Sequence, residues 1–122
     1  MTITYYHASP FIIEKPSYYK CLANRTNHKN GELGLWFAMS PEWITGFGSN
    51  IYAFELSVNA HGSVPIGTLR EWSKDDSFDY IRQRCKLLSQ GFSSVVIEEE
   101  CLLNAMGVVL DFDKIQNWRR YE

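Results

Sequence analysis

Gly34-Leu35-Trp36-Phe37-Ala38-Met39-Ser40-Pro41-Glu42-Trp43-Ile44 decides the fold, because a short apolar strand runs there directly into a helix start. Leu35 to Met39 is too rich in large apolar groups for a solvated loop. Ser40, Pro41 and Glu42 read as N-cap, first helical position and first-turn carboxylate. A junction of this kind holds an aromatic side chain at the rim of a cleft, and Trp36 is the aromatic in place.

Upstream, Ile3-Thr4-Tyr5-Tyr6-His7 has the β-branched and aromatic content of an edge-like strand. Ala8-Ser9-Pro10 ends it, since proline cannot continue a ladder, and His7 is expected at the strand's end. Phe11 to Asn24 carries Pro16, Tyr18-Tyr19 and Leu22 and admits a short helix, while Arg25 to Gly31 is polar and closes on the turn pair Asn30-Gly31.

Downstream, Gly46-Phe47-Gly48 offers a glycine stop in the left-handed conformation. Ile51 to Asn59 alternates, with Tyr52, Phe54, Leu56 and Val58 expected to be the buried set. Thr68 to Glu71 has the form of a capping box. Asp75-Asp76-Ser77 starts a helix whose apolar stripe is read as Phe78, Ile81, Cys85 and Leu88, with Gly91 as its stop. Phe92 to Ile97 reads as a buried strand, Met106 to Leu110 as the last strand, and Gln116 to Glu122 as a polar tail. Strands outnumber helices without strict alternation, which predicts an α+β fold of small, mainly antiparallel sheets with flanking short helices.

The chain is long enough for one core and too short for two, so residues 1–122 are read as a single domain. A net charge of −2 lacks the basic face that binding to nucleic acid requires. The three cysteines, Cys21, Cys85 and Cys101, have neither disulfide-framework nor zinc-site spacing. No apolar run nears the ~20 residues that span a bilayer, and the start lacks the basic region of a signal peptide. A cytoplasmic chain without a membrane partner is therefore expected.

Three features carry candidate chemistry. His7 stands beside the small residues Ala8 and Ser9, where it serves either a ligand or merely the backbone. Trp36 is either a core tryptophan or a flat wall for a ligand. Glu98-Glu99-Glu100 is either a solvated turn or a set of carboxylates whose mutual repulsion a cation or a developing positive charge would relieve. Glycine-rich phosphate loops, zincin motifs and nucleophile elbows are absent from the sequence.

In their order, these pieces resemble the ADP-ribosyltransferase superfamily, in the branch whose site is described as histidine, tyrosine and glutamate. Tyr5-Tyr6-His7-Ala8-Ser9 is similar to the first-strand motif that holds the adenosine ribose and the nicotinamide amide of NAD. Gly34-Leu35-Trp36-Phe37-Ala38, with Ser40 beyond it, is similar to the family's strand of glycine, aliphatic, tyrosine, phenylalanine and alanine. Gly91 to Glu100 followed by Val108 to Ile115 is similar to the C-terminal strand pair of small phage, bacterial and anti-CRISPR members. Two departures stand out: tryptophan replaces tyrosine, and Ala105-Met106-Gly107 carries no carboxylate before the last strand.

The resemblance implies a fold around an NAD cleft and a transferase that uses NAD as substrate to modify a protein, as a phage or bacterial effector against a host defence or expression component. His7, Trp36 and Glu99 would be catalytic, with Glu99 chosen from Glu98 to Glu100. His7, Ala8, Ser9, Trp36, Phe37 and Ser40 would bind NAD, and no metal is implied. The alternative reading is a catalytically inactive domain of that fold acting as a protein-binding inhibitor.

Overall fold

The structure, a computed structural model, describes residues 1–23, 29–57, 61–98 and 106–121. Its elements in chain order are β1 (Thr2–Ser9), α1 (Tyr18–Ala23), β2 (Leu35–Ala38), β3 (Asn50–Ser57), β4 (His61–Pro65), α2 (Ile66–Lys74), α3 (Tyr80–Ser89), β5 (Ser94–Glu98), β6 (Met106–Val109) and β7 (Gln116–Arg120). The strands form one seven-stranded sheet in the order β4-β5-β6-β2-β1-β3-β7. Among the described strands only β4 and β5 run parallel, joined by α2 and α3 as the crossover such a pair requires. The α+β class expected from the sequence is the class observed, with one mixed sheet in place of several small ones.

Neighbouring residues of the central strands point into different cores, as strand alternation demands. Val95, Ile97 and Val108 pack with Tyr80 and Leu87 of α3, and Leu69 and Trp72 of α2 join them. Val96 and Val109 pack instead with Tyr5, Leu35, Phe37, Phe54 and Leu56. The middle of the sheet is thus covered on both sides. This is why Ile51 and Ala53 are buried along with Tyr52 and Phe54, against the expectation that a single set of β3 would be.

Several local expectations are corrected. β1 is central, lying between β2 and β3, and it continues through Ala8 and Ser9, so His7 is neither on an edge nor at a strand end. Pro41–Trp43 makes a single 3-10 turn, and the Ser40 side chain makes no capping bond. Gly48 takes φ 156° and ψ 162°, a glycine conformation outside the left-handed helical one, and its missing Cβ matters because one would sit 2.1 Å from the Ser9 carbonyl carbon. α2 begins at Ile66, which leaves Thr68 inside it. Asp79, not the 75–77 run, caps α3 by accepting the Arg82 N–H.

On α3 itself, Tyr80 and Leu87 are the buried residues, while Ile81 and Cys85 face outward. Of the expected stripe, Phe78 and Leu88 do pack against the core, and Ile81 and Cys85 do not. β7 was read as a polar tail because its side chains are largely exposed; a bulge opposite Ala53 and Glu55, with Asn117 at φ 54°, lets it join the sheet edge. Val58, Asn59, Glu99, Glu100, Cys101 and Ala105 lie outside the described residues.

Candidate functional site

β1 pairs with β3 along its whole length, but with β2 at one position, Tyr6 opposite Ala38. Beyond that pair the two strands part. His7, Ala8 and Ser9 on one side and Gly34, Leu35, Trp36 and Phe37 on the other line a pocket of about 420 Å³ between them. That volume lies in the range of small-molecule sites. Gly34 is needed for the strands to reach this arrangement, since a Cβ there would sit 2.0 Å from the Val109 carbonyl oxygen of β6.

The His7 side chain spans the parting. Its Nδ1–H donates to the Trp36 carbonyl at 2.6 Å, taking the place of a ladder hydrogen bond. Burial pushes the His7 pKa below its ordinary value, more strongly than the bond to Trp36 raises it. The neutral ring with hydrogen on Nδ1 leaves Nε2 as an acceptor. The indole Nε1–H of Trp36 donates to the Asn30 carbonyl at 2.8 Å, and the ring lies between the pocket and the core beneath α2 and α3.

The segment from Pro10 to Ala23 crosses the pocket as a strap, contributing Ile13, Pro16, Lys20 and Cys21 to its lining. The Ile13 backbone is held from both sides: its N–H donates to the Tyr52 hydroxyl at 2.7 Å, and its carbonyl accepts the Trp118 Nε1–H at 3.0 Å. Tyr52 and Trp118 themselves stack at 4.8 Å between ring centroids. Further along, the Tyr18 hydroxyl donates to the Glu32 carbonyl, and the Arg84 guanidinium lies 3.8 Å over the Tyr18 ring while donating to the Leu110 carbonyl. Burial raises the Cys21 thiol to about 11, which leaves it a packing group rather than a nucleophile.

The structure therefore brings His7, Ala8, Ser9, Trp36 and Phe37 to one pocket. Phe37 is almost wholly core, 4.3 Å from the Tyr5 ring. The Ser9 hydroxyl accepts the Phe11 N–H at 3.0 Å. Ser40 is not among the described residues lining the pocket, Glu98 ends β5 as an exposed side chain, and Glu99 lies outside the described residues. Among the described lining residues there is no carboxylate and one cation, Lys20. No cluster of three metal-ligating side chains occurs among the described residues. Sequence reasoning missed the strap; Pro10 and Pro16, which bar regular structure between them, were its available signal.

The fold is that of an α+β domain with a ligand-sized pocket where two central strands separate. No family model matches the sequence, and neither does any curated protein. Among solved structures, a crystal structure of an anti-CRISPR protein is similar at a TM-score of 0.54 and 14% identity, over 98% of this chain and 96% of that one. At that identity the likeness is one of fold. No helix among the described residues is long and apolar enough to cross a membrane.

Proposed function

We propose that the pocket binds NAD as a substrate and that the chain is a mono-ADP-ribosyltransferase acting on a protein, in the role of a phage or bacterial inhibitor of a host defence. One observation carries the reading: parts of the two stretches that resemble the family's NAD-binding strands, His7 to Ser9 and Gly34 to Phe37, face each other across one pocket of about 420 Å³. The similar anti-CRISPR fold supports a protein as the target.

In this chemistry the bond from the ribose anomeric carbon to the nicotinamide nitrogen breaks, and its electron pair leaves with neutral nicotinamide. An acceptor side chain on the target forms the new bond and gives up its proton. The sugar passes through an oxocarbenium-like state, which a carboxylate stabilises, and Glu99 is assigned that role. His7 Nε2 accepts a hydrogen bond from a ribose hydroxyl, and the Trp36 ring orients the nicotinamide for departure.

A second reading, a catalytically inactive inhibitor that binds its target through the same face, is favoured by the absence of a carboxylate among the described lining residues. Labelled NAD incubated with the protein and a bacterial lysate separates the two. The transferase reading expects label on a protein, lost in Glu99→Gln and kept in Glu98→Gln. No transfer, together with no rise in melting temperature on adding NAD, leaves the binding reading.

A further inference from the structure

Building on the NAD reading, we infer that Lys20 on the strap is the phosphate-binding residue of the pocket, so that the site selects ligands bearing a diphosphate over uncharged nucleosides. Neither of the two family-like motifs contains this residue. The inference follows from the charges around the cavity. The chain as a whole has 14 acidic and 12 basic residues, yet the described lining holds one ammonium, one histidine kept neutral by burial, and no carboxylate. An acidic protein has thus kept the described lining of one cavity free of acidic side chains, and an exposed ammonium at its rim, with no described carboxylate in the lining to compete for it, is placed to attract an anion into the opening.

The geometry of the strap suits the role. The Lys20 N–H donates to Ser17 Oγ at 3.2 Å, and the next residue, Cys21, packs against the core containing Leu35 and Phe37, so the lysine's backbone is fixed at the pocket wall. Its Nζ makes a 3.4 Å contact to the Lys15 carbonyl, which leaves donors of the ammonium for a ligand. The neighbouring cations are engaged elsewhere. Lys29 Nζ donates to the Asp76 carbonyl at 2.9 Å, and Arg84 is held between the Tyr18 ring and the Leu110 carbonyl. A lysine acts here as a point charge on a flexible stem, which fits a diphosphate better than a single planar carboxylate.

Calorimetric titration of the full chain with NAD, ADP and adenosine tests this, using Lys20→Met, Lys20→Arg and, as a control outside the pocket, Lys29→Met. The expected result is a loss of about tenfold in affinity for both NAD and ADP in Lys20→Met, equivalent to about 1.4 kcal/mol. Lys20→Arg and Lys29→Met stay within about threefold of the parent, adenosine binding is unchanged, and raising salt weakens ADP binding in the parent more than in Lys20→Met. If Lys20→Met binds NAD and ADP as the parent does, the Lys20 assignment falls and the NAD reading stands. If ADP binds through Lys20 while NAD neither binds nor transfers label, the subsite stands and the NAD reading falls. If none of the three binds the parent chain, both fall.

Discussion

One end of the sheet and its middle are covered by different physics. Over β4, β5 and β6 the cover is apolar: Tyr80 and Leu87 of α3 reach the core, and Trp72 and Phe78 stack at 4.9 Å above it. Where β1 and β2 part, the cover is the strap, whose helix α1 has no buried residue and which is tied down by hydrogen bonds at Ile13 and Tyr18. Apolar packing closes space to crystal-like density. Point attachments leave space beneath them, and the pocket is found under the strap.

The strongest test removes a central residue of the core against which the strap's Cys21 packs. Phe37 is buried to 1% exposure among Tyr5, Phe54 and the backbone of Gly107, so Phe37→Ala is expected to cost about 3–5 kcal/mol by urea denaturation. Next, Leu87→Ala strips the apolar cover from its own end, with an expected loss of about 2–5 kcal/mol. Retention of full stability by that variant would show that α3 is not packed as described.

Tyr52→Phe sharpens the contrast, because it deletes the hydroxyl that accepts the Ile13 N–H while keeping the ring stacked on Trp118. It should lose only about 1 kcal/mol globally. Limited proteolysis should nevertheless cut the strap faster than in the parent, whereas Leu87→Ala cleaved under the same conditions should open elsewhere. Thiol labelling draws the same line: Cys85 is exposed, whereas Cys21, with a pKa near 11, holds about one thiolate in a thousand at pH 8. Mass spectrometry of alkylated peptides should find Cys85 modified well before Cys21, and equal rates would mean that Cys21 is not held against the core beneath the strap.

The smallest effect concerns pH. Burial depresses the pKa of both His7 and His61, so the unfolded chain takes up protons near pH 6.5 that the native chain does not. Their contribution to stability is complete above pH 6.5 and falls away as pH drops towards the depressed native values. Melting temperature should therefore decline between pH 7 and pH 5.5, and His7→Asn should flatten part of that slope. A parent that melts higher at pH 5.5 would contradict the burial of both rings.

The legible parts of the sequence were those whose neighbours in the chain determine them. Leu35–Ala38 and Ser94–Glu98 are apolar runs whose strand identity needs no tertiary information. His7 and Trp36 were singled out as chemistry-bearing, but the bond between them joins residues 29 positions apart, and no local pattern encodes it. β7 was hidden for the opposite reason. An edge strand needs only one packed side chain, and Trp118 alone supplies it by lying on Tyr52. The strap ahead of α1 has no periodicity, and at Ile13 its backbone is satisfied by side chains of β3 and β7 instead of by a helix or ladder.

Trp36 gives the pocket an optical reporter of its own. Of the four tryptophans, it is the one among the described lining residues, with its indole N–H fixed to Asn30 and its ring against the cavity. A ligand stacked on that ring changes emission from a single known fluorophore, and the difference between the parent and Trp36→Phe isolates it from Trp43, Trp72 and Trp118. Occupancy of the cavity can thus be followed by light alone, without a reaction and before any target protein is in hand.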